Sequence, residues 1–278
     1  MFIWRCKPVP KKLQFLQGRG KQCNAVWTKL YFCKEMMKVY FGQPWGGLGD
    51  NLQFTTLPKL FSEKGVDFFI SKNNTYRNPE IYEFCWGKNP YVKGIVNNVA
   101  NIGSCAPDLQ KGRTDNIVSA AEIRHGFSGS GRYPEIYYDA KVLDEYKDKT
   151  IVDLSAHTLL KNNVSEFYNA DYLFFLVGQL VPEDALFVSF KNVNSLSLSG
   201  GFPFESNELV VENIFEYANI INSAKRYFCL YSGGNSMAAA VKYKEQSNVE
   251  LNCFLHGTVQ EHKDKGFFIF DNVNYIEV

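Results

Sequence analysis

The chain has 278 residues, 45% of them hydrophobic and 21% charged, with a formal net charge of +1. That length allows one large or two small domains with an ample core, and the near-neutral balance argues against nucleic acid as a partner. Seven scattered cysteines without a C-x-x-C pair exclude a sequence-evident zinc site or disulfide framework and read as reduced thiols of a cytoplasmic protein.

In chain order, residues 1–36 come first, with eight Lys or Arg against one acid and no apolar stretch of the secretory type. They are expected to be a basic extension, disordered or an artefact of the chosen start, with peripheral contact to a membrane as the alternative. No apolar run anywhere approaches the roughly 18 residues of a membrane-spanning helix. From Met37 the text changes to "MKVYFGQPWGGLGDNLQFTTLPKLF". "KVYFG" is expected as a buried strand, and "NLQFTTLPKLFSEKG" as a helix presenting Phe54, Leu57, Leu60 and Phe61, kinked at Pro58 and ended by Gly65. "VDFFIS" follows as a second strand, so the unit is a right-handed parallel crossover.

"NPEIYEFCWG" reads as a short helix and "YVKGIVNN" as a third strand. Residues 98–135 are glycine-rich and polar around a helical "NIVSAAEIRHG", an irregular stretch of the kind that is usually functional or mobile. After the charged "DAKVLDEYKDK" a second half opens on the strand "TIVDLSA", followed by "DYLFFLVG", "ALFVSF" and the loop "NSLSLSGGFPFES". An amphipathic helix is expected from about Asn207, with Val211, Ile214, Phe215, Ala218 and Ile221 on one stripe. "RYFCLYS" then runs through "GGNS" into a helix at "MAAAV", and "VELNCFLHG" and "GFFIFDNVNYIEV" supply the last strands. The expected domains are an N-terminal one over 37–143 and a C-terminal one over 144–278.

Two strand-to-helix glycine turns, "WGGLGDN" and "YSGGNSM", carry the functional reading. Such a turn aims free N–H groups at one point, and the helix dipole makes that point favourable for an anion. The first turn lacks the Lys-Ser or Lys-Thr of a P-loop, and the second strand ends in Ser71 and Lys72 without the acid that a dinucleotide ribose requires. Asp50 beside the first turn repels a phosphate and suits a hydroxyl-rich ligand. Ser232, Asn235 and Ser236 in the second turn suit a phosphate. One half therefore reads as an acceptor side and the other as a donor side.

These segments resemble glycosyltransferases of the heptosyltransferase type (glycosyltransferase family 9). Gly47, Gly49 and Asp50 match a G-x-G-D turn, with Thr56 and Pro58 in the helix that follows. Ser232 and Gly233 match a donor turn of the form Asp-Ser-Gly-x-x-His, in which Tyr231 here replaces the Asp and Ser236 the His. The resemblance implies an α/β fold of two Rossmann-like domains facing a cleft (GT-B-like), in shortened form. It also implies transfer of a sugar from a nucleotide-sugar donor to a glycan or lipid-linked acceptor, with inversion and without a metal or other cofactor.

Asp50 is the expected catalytic base, ionised by its place at a helix N-terminus, and the same position suits a simple helix cap. His125 is the second catalytic candidate, with a solvent-facing loop histidine as the commoner explanation of such a residue. Acceptor contacts are expected from Trp45, Gly47, Gly49, Asn51, Arg124 and Arg132. Donor contacts are expected from His157, Lys191, Tyr231, Ser232, Gly233, Gly234, Asn235, Ser236 and His256. "FSGSGR" is no nucleophile elbow, because Phe127 occupies its first glycine position. A non-catalytic nucleotide-sugar or carbohydrate-binding relative of the same fold is the alternative function, and a sugar-nucleotide epimerase lacks the clustered acids that it would need.

Overall fold

Two parallel sheets, one of three strands and one of six, organise residues 36–278, which form one compact unit. The computed structural model describes residues 37–103, 116–156, 168–191, 196–197, 207–265 and 267–278. The basic extension 1–36 and His157 lie outside the described residues.

In the first sheet, β1 (Met37–Phe41) leads through the glycine turn into α1 (Leu48–Leu52), then α2 (Leu57–Glu63) and β2 (Val66–Ser71). The single kinked helix expected here is two short helices. Pro58 lies in the first turn of α2, where a missing N–H costs no helical bond, so α1 stops at Leu52 and four turn residues intervene. Gly65 follows α2 at φ 71°, a left-handed conformation that suits glycine at a helix end. α3 (Pro79–Tyr82), capped by Asn78, widens into a π-turn through Gly87 before β3 (Val92–Val96). The sheet order is β1-β2-β3, and a parallel bridge from Phe41 to Ile102 extends it past β1. Phe41, Phe54, Phe68 and Trp86 fill its core with ring centroids 5.1 to 6.3 Å apart.

α4 (Ile117–Arg124), capped by Asn116, follows, and residues 127–143 then run on without regular structure. That run is sewn to both sheets' helices. Glu135 N–H donates to Thr55 Oγ1 at 3.0 Å, just before α2. On the far side, Tyr138 Oη and Lys141 N–H both donate to Asn219 Oδ1, at 2.9 and 2.8 Å, and Leu143 N–H donates to Ser223 Oγ at 2.7 Å.

The second sheet begins with β4 (Thr150–Asp153) and continues through β5 (Ser155–Ala156), α5 (Ala170–Leu180), β6 (Leu186–Phe190), β7 (Leu196–Ser197) and β8 (Asn207–Val211). It is completed by α6 (Ile214–Ser223), β9 (Arg226–Leu230), α7 (Gly233–Glu245), β10 (Glu250–Leu255), α8 (Val259–Asp264) and β11 (Asn274–Glu277). β5 and β7 pair with each other alone, antiparallel. The six remaining strands are parallel in the order β8-β6-β4-β9-β10-β11. The chain thus winds outward from β4 to one edge, returns beside it as β9, and winds to the other edge, which is the doubly wound order with its reversal between β4 and β9.

Two expectations change in this half. The helix anticipated from Asn207 starts at Ile214, because Asn207–Val211 pair residue for residue with Leu186–Phe190 as β8 and Asn213 then caps α6. Of "GFFIFDNVNYIEV" only Asn274–Glu277 is strand, since Ile269, Phe270 and Val273 turn inward to fill the core instead. Among the described residues no helix is long and apolar enough to cross a membrane.

Candidate active site

The two glycine turns meet each other. A Cβ on Gly233 would lie 3.0 Å from Gly49 N and 3.2 Å from Leu48 Cβ; one on Gly49 would lie 3.4 Å from Gly233 Cα and 3.5 Å from Phe268 Cζ. At Gly233 a side chain would press on the opposing turn, whereas at Gly49 it would only reach ordinary contact, so the N-termini of α1 and α7 approach closely with the tight fit on the Gly233 side. Gly234 serves a third approach, since its missing Cβ would stand 3.0 to 3.1 Å from Tyr227 Oη, Asp153 Oδ2 and Tyr217 Oη.

Each turn is braced from behind. Asp50 reaches back so that its Oδ2 accepts the Gly47 N–H at 3.0 Å. Asn51 is fully buried: its Nδ2 donates to Gly47 O at 3.0 Å, while its Oδ1 accepts from Trp86 Nε1 at 3.0 Å and Asn74 Nδ2 at 3.2 Å. A buried amide with this many partners fixes the turn, because losing it strands two donors away from water. On the other side Ser232 caps α7, its Oγ accepting the Gly234 N–H at 3.2 Å. Tyr231 Oη accepts the Phe268 N–H at 2.8 Å and Asn235 Nδ2 donates to Phe268 O at 2.9 Å, so both side chains anchor the strand-like segment that closes over the turn.

Where the turns meet, a cleft of about 760 Å³ opens. Asp50, Arg77 and Glu80 stand on its N-terminal wall, and Asp153, the Ser232–Gly234 turn, His256, His262 and Lys265 on its C-terminal wall. Asp153 ends β4 and Ser232 follows β9, so the cleft lies at the carboxyl ends of the strands where the sheet order reverses, the place where open α/β sheets bind ligands.

Burial pushes the Asp50 carboxyl above the ordinary Asp value, against the opposing pull of the Gly47 N–H and the Arg77 guanidinium. The helix N-terminus expected to keep Asp50 ionised pulls the other way, and desolvation outweighs it. Arg77 itself is held below the usual arginine range by burial, with Asp50 opposing. Asp153 is fully enclosed and also pushed up by burial, although Ser155 and Tyr217 hydroxyls donate to it and Tyr227 backs Tyr217. His256 and His262 are both lowered, first by burial and further by the Lys265 charge, which favours neutral imidazoles.

Of the residues anticipated from sequence, the cleft collects Gly47, Gly49, Asp50, Tyr231, Ser232, Gly233, Gly234 and His256. Others stand elsewhere. His125 and Arg124 sit at the end of α4, outside the cleft lining; the His125 ring lies edge-on to Phe54 with Nδ1 2.7 Å from Ala121 O, so it closes a helix and does not stand in a loop. Arg132 lies 3.7 Å from Asp271 on the surface, and Lys191 donates to Glu212 at 2.8 Å. Trp45 is largely exposed and apart from the lining, and Asn51, Asn235 and Ser236 are buried behind it. Sequence reasoning missed Arg77, Asp153, Tyr217, His262 and Lys265, all of which line the cleft. "TIVDLSA" does show an acid at a strand end, but its importance depends on strand order, which no local pattern states. Among the described residues no group of three or more His, Cys, Asp or Glu side chains is placed to hold a metal.

No family model and no curated protein matches the sequence. Among solved structures, the iron-containing dodecameric glycosyltransferase TibC of enterotoxigenic E. coli H10407 superposes at TM-score 0.55, with 11% identity over 86% of this chain and 62% of that one. TibC in complex with ADP-D-beta-D-heptose, described as a heptosyltransferase, also gives 0.55, with 10% identity over 86% of this chain and 61% of that one. The glycosyl transferase family 9 protein of Veillonella parvula DSM 2008 gives 0.48, with 9% identity over 87% and 85% of the two chains. This chain therefore spans less than two thirds of TibC, and what it shares with it is architecture: a heptosyltransferase-like α/β glycosyltransferase fold of the GT-B kind, in shortened form.

Proposed function

We propose that the protein is a glycosyltransferase that moves a sugar from a nucleotide-sugar to a glycan or lipid-linked acceptor, with inversion and without a metal. The observation that carries this reading is the apposition of a half-buried carboxylate, Asp50, and the N-terminus of α7 across one cleft at the sheet's reversal point. The nucleotide-sugar held by TibC supports the donor class.

In this reading Asp50 takes the proton of an acceptor hydroxyl. The freed oxygen attacks the anomeric carbon from the face opposite the diphosphate, the bond from that carbon to the phosphate oxygen breaks, and the nucleoside diphosphate leaves with the electron pair. Charge grows on the leaving phosphate, where the N–H groups at the start of α7 and the Lys265 ammonium stabilise it. A raised carboxyl is suited to the first step, since a base works best with its pKa near the working pH.

The test is a titration of UDP-, GDP-, ADP- and CMP-sugars against wild type and Asp50→Asn, followed by transfer or slow hydrolysis of whichever binds, with and without EDTA. The expected result is equal binding, a loss of turnover in Asp50→Asn of roughly 10²–10⁴ typical of removing a general base, and no effect of EDTA. Binding without turnover in wild type would establish the non-catalytic relative instead. No binding at millimolar concentration would end the glycosyltransferase reading.

A further inference from the structure

The charges around the cleft oppose an anionic ligand as they stand. Among its described lining residues four carboxyls, Asp50, Glu80, Asp153 and Glu212, are set against two cations, Arg77 and Lys265, and the nucleotide-sugar proposed above adds more negative charge. Three of the four carboxyls are otherwise engaged. Asp50 must be ionised to act as a base. Glu80 Oε2 accepts the Ile214 N–H at 3.0 Å, and Glu212 Oε1 accepts from Lys191 Nζ at 2.8 Å. Asp153 remains, and it stands behind the turn assigned to the phosphates: its Oδ2 would lie 3.1 Å from a Cβ on Gly234, in the first turn of α7.

Asp153 is buried in a chain of hydroxyls. Its Oδ1 accepts from the Ser155 N–H at 2.9 Å and from Ser155 Oγ, its Oδ2 accepts from Tyr217 Oη, and Tyr217 Oη meets Tyr227 Oη in turn. Beyond Tyr227 lies the thiol of Cys229, the residue of β9 that pairs with Asp153. The titratable groups packed on Asp153 are therefore Tyr217 from α6 and Tyr227 and Cys229 from β9, while β6 has no ionisable side chain and the α7 turn presents Ser232, Gly233 and Gly234. Burial pushes the carboxyl above the ordinary Asp value against the pull of these hydroxyls. The chain accommodates either state. With Asp153 ionised, Tyr227 donates to Tyr217 and Tyr217 to Oδ2; with a proton on Oδ2, each hydroxyl turns and the donations run the other way, towards Cys229.

We propose that the donor binds together with a proton, taken from solvent by the Asp153 carboxylate, whose charge otherwise opposes the phosphates at the start of α7. The step forms one O–H bond at Asp153 Oδ2, breaks none in the donor, and leaves Asp50 ionised for the transfer. It deepens the nucleotide-sugar reading above and rests on it. Affinity is then full at low pH, where Asp153 is already neutral, and falls as pH rises, because each binding event must draw its proton from a scarcer supply. Asp153 is thereby a positioning residue that acts through its charge, separate from the transfer step at Asp50.

Calorimetry with UDP-, GDP-, ADP- and CMP-sugars, repeated in buffers of different ionisation enthalpy from about pH 5 to about pH 9, counts the protons. The phosphates of these sugars carry no hydrogen that titrates there, so uptake belongs to the protein. The expected result for wild type is uptake of about one proton per donor, with an affinity that falls about tenfold per pH unit once Asp153 of the free protein is ionised. His256 and His262 share the cleft and are the rival proton sites, and Asp153→Asn separates them from Asp153. That variant should bind without the uptake, with a flat profile, and more tightly than wild type at the alkaline end. Tyr217→Phe removes a hydroxyl that favours the ionised carboxyl, so its falling limb should lie at higher pH. Infrared difference spectra should show wild type gaining the carbonyl band of a neutral carboxylic acid on binding. If Asp153→Asn does not fold, that band and its persistence to higher pH in Tyr217→Phe carry the test. Undiminished uptake in Asp153→Asn, or wild-type binding with neither uptake nor a new band, overturns the proposal. Failure of wild type to bind any nucleotide-sugar overturns the donor-site reading and this inference with it, a result distinct from binding that takes up no proton.

Discussion

At the scale of single residues, Asp50 is a helix-end carboxylate whose burial outweighs the pull of the Gly47 N–H and the Arg77 guanidinium. Its place after "GGLG" identified it as a helix-end acid, and that is visible in any window of six residues. Its enclosure is not, because the burying neighbours, Arg77 among them, come from another turn. The sign of the shift has consequences. A base with a raised pKa stays protonated to higher pH, so the acidic limb of kcat/KM should lie above the ordinary Asp value of 3.8. Arg77 opposes the shift, so Arg77→Met should move that limb to still higher pH, read from a pH–rate profile beside wild type. Stability follows the same sign. The folded state holds this proton more tightly than the unfolded one, so stability falls as pH rises from 3.8 through the raised value, and the deficit persists above it. Asp50→Asn removes that deficit while its amide oxygen can still accept the Gly47 N–H. Its thermal midpoint at neutral pH should match or exceed wild type even though turnover is lost. A lower midpoint would identify Asp50 as chiefly a cap.

At the scale of elements, periodicity located the strands and helices of the second half well wherever a turn residue marked the boundary. It failed at Asn207–Val211, because five residues with two valines satisfy the apolar spacing of a helix and of a strand alike. Asn213, whose side chain accepts from Phe215 and Glu216 N–H groups, was the signal that separates the two. The glycines illustrate a different limit. "GGLG" and "SGG" announce close approach, yet the sequence does not say to what, and here much of the space is taken by the other turn. Gly233→Ala places a methyl 3.0 Å from Gly49 N, against backbone that has no rotamer to yield. It should cost about 1–3 kcal/mol, as overpacking commonly does, measured by urea unfolding. Gly65→Ala has no neighbour within 4 Å and meets only its left-handed φ, so the two variants separate packing strain from backbone strain.

At the scale of the whole molecule, the run over residues 127–143 behaves as a strap, tied to the front of α2 at Glu135 and to α6 at Tyr138, Lys141 and Leu143. Nothing in its glycine-rich, aromatic text indicates this, because the partners in these four ties lie 78 or more positions away. Further ties cross between the two halves: Glu80 Oε2 accepts the Ile214 N–H at 3.0 Å, and Phe84, Tyr138 and Phe215 pack their rings together. Asn219 accepts two of the strap's donors, so Asn219→Ala should destabilise by about 1–3 kcal/mol and speed hydrogen exchange at residues 138–143 before the rest of the chain. Exchange that rises uniformly would show the strap to unfold only with the whole molecule.

The contact between Gly49 and Gly233 also acts as a gauge. Asp50 and Gly234 each follow one of these glycines directly, so the close approach of the two turns limits the gap between base and leaving group. The Asp50 carboxylate is held toward the same turn by the Gly47 N–H at 3.0 Å. Inhibitors that tether a hydroxyl-bearing head to a diphosphate should therefore rank by tether length, with one sharp optimum, and chemical variety in the tether should matter little.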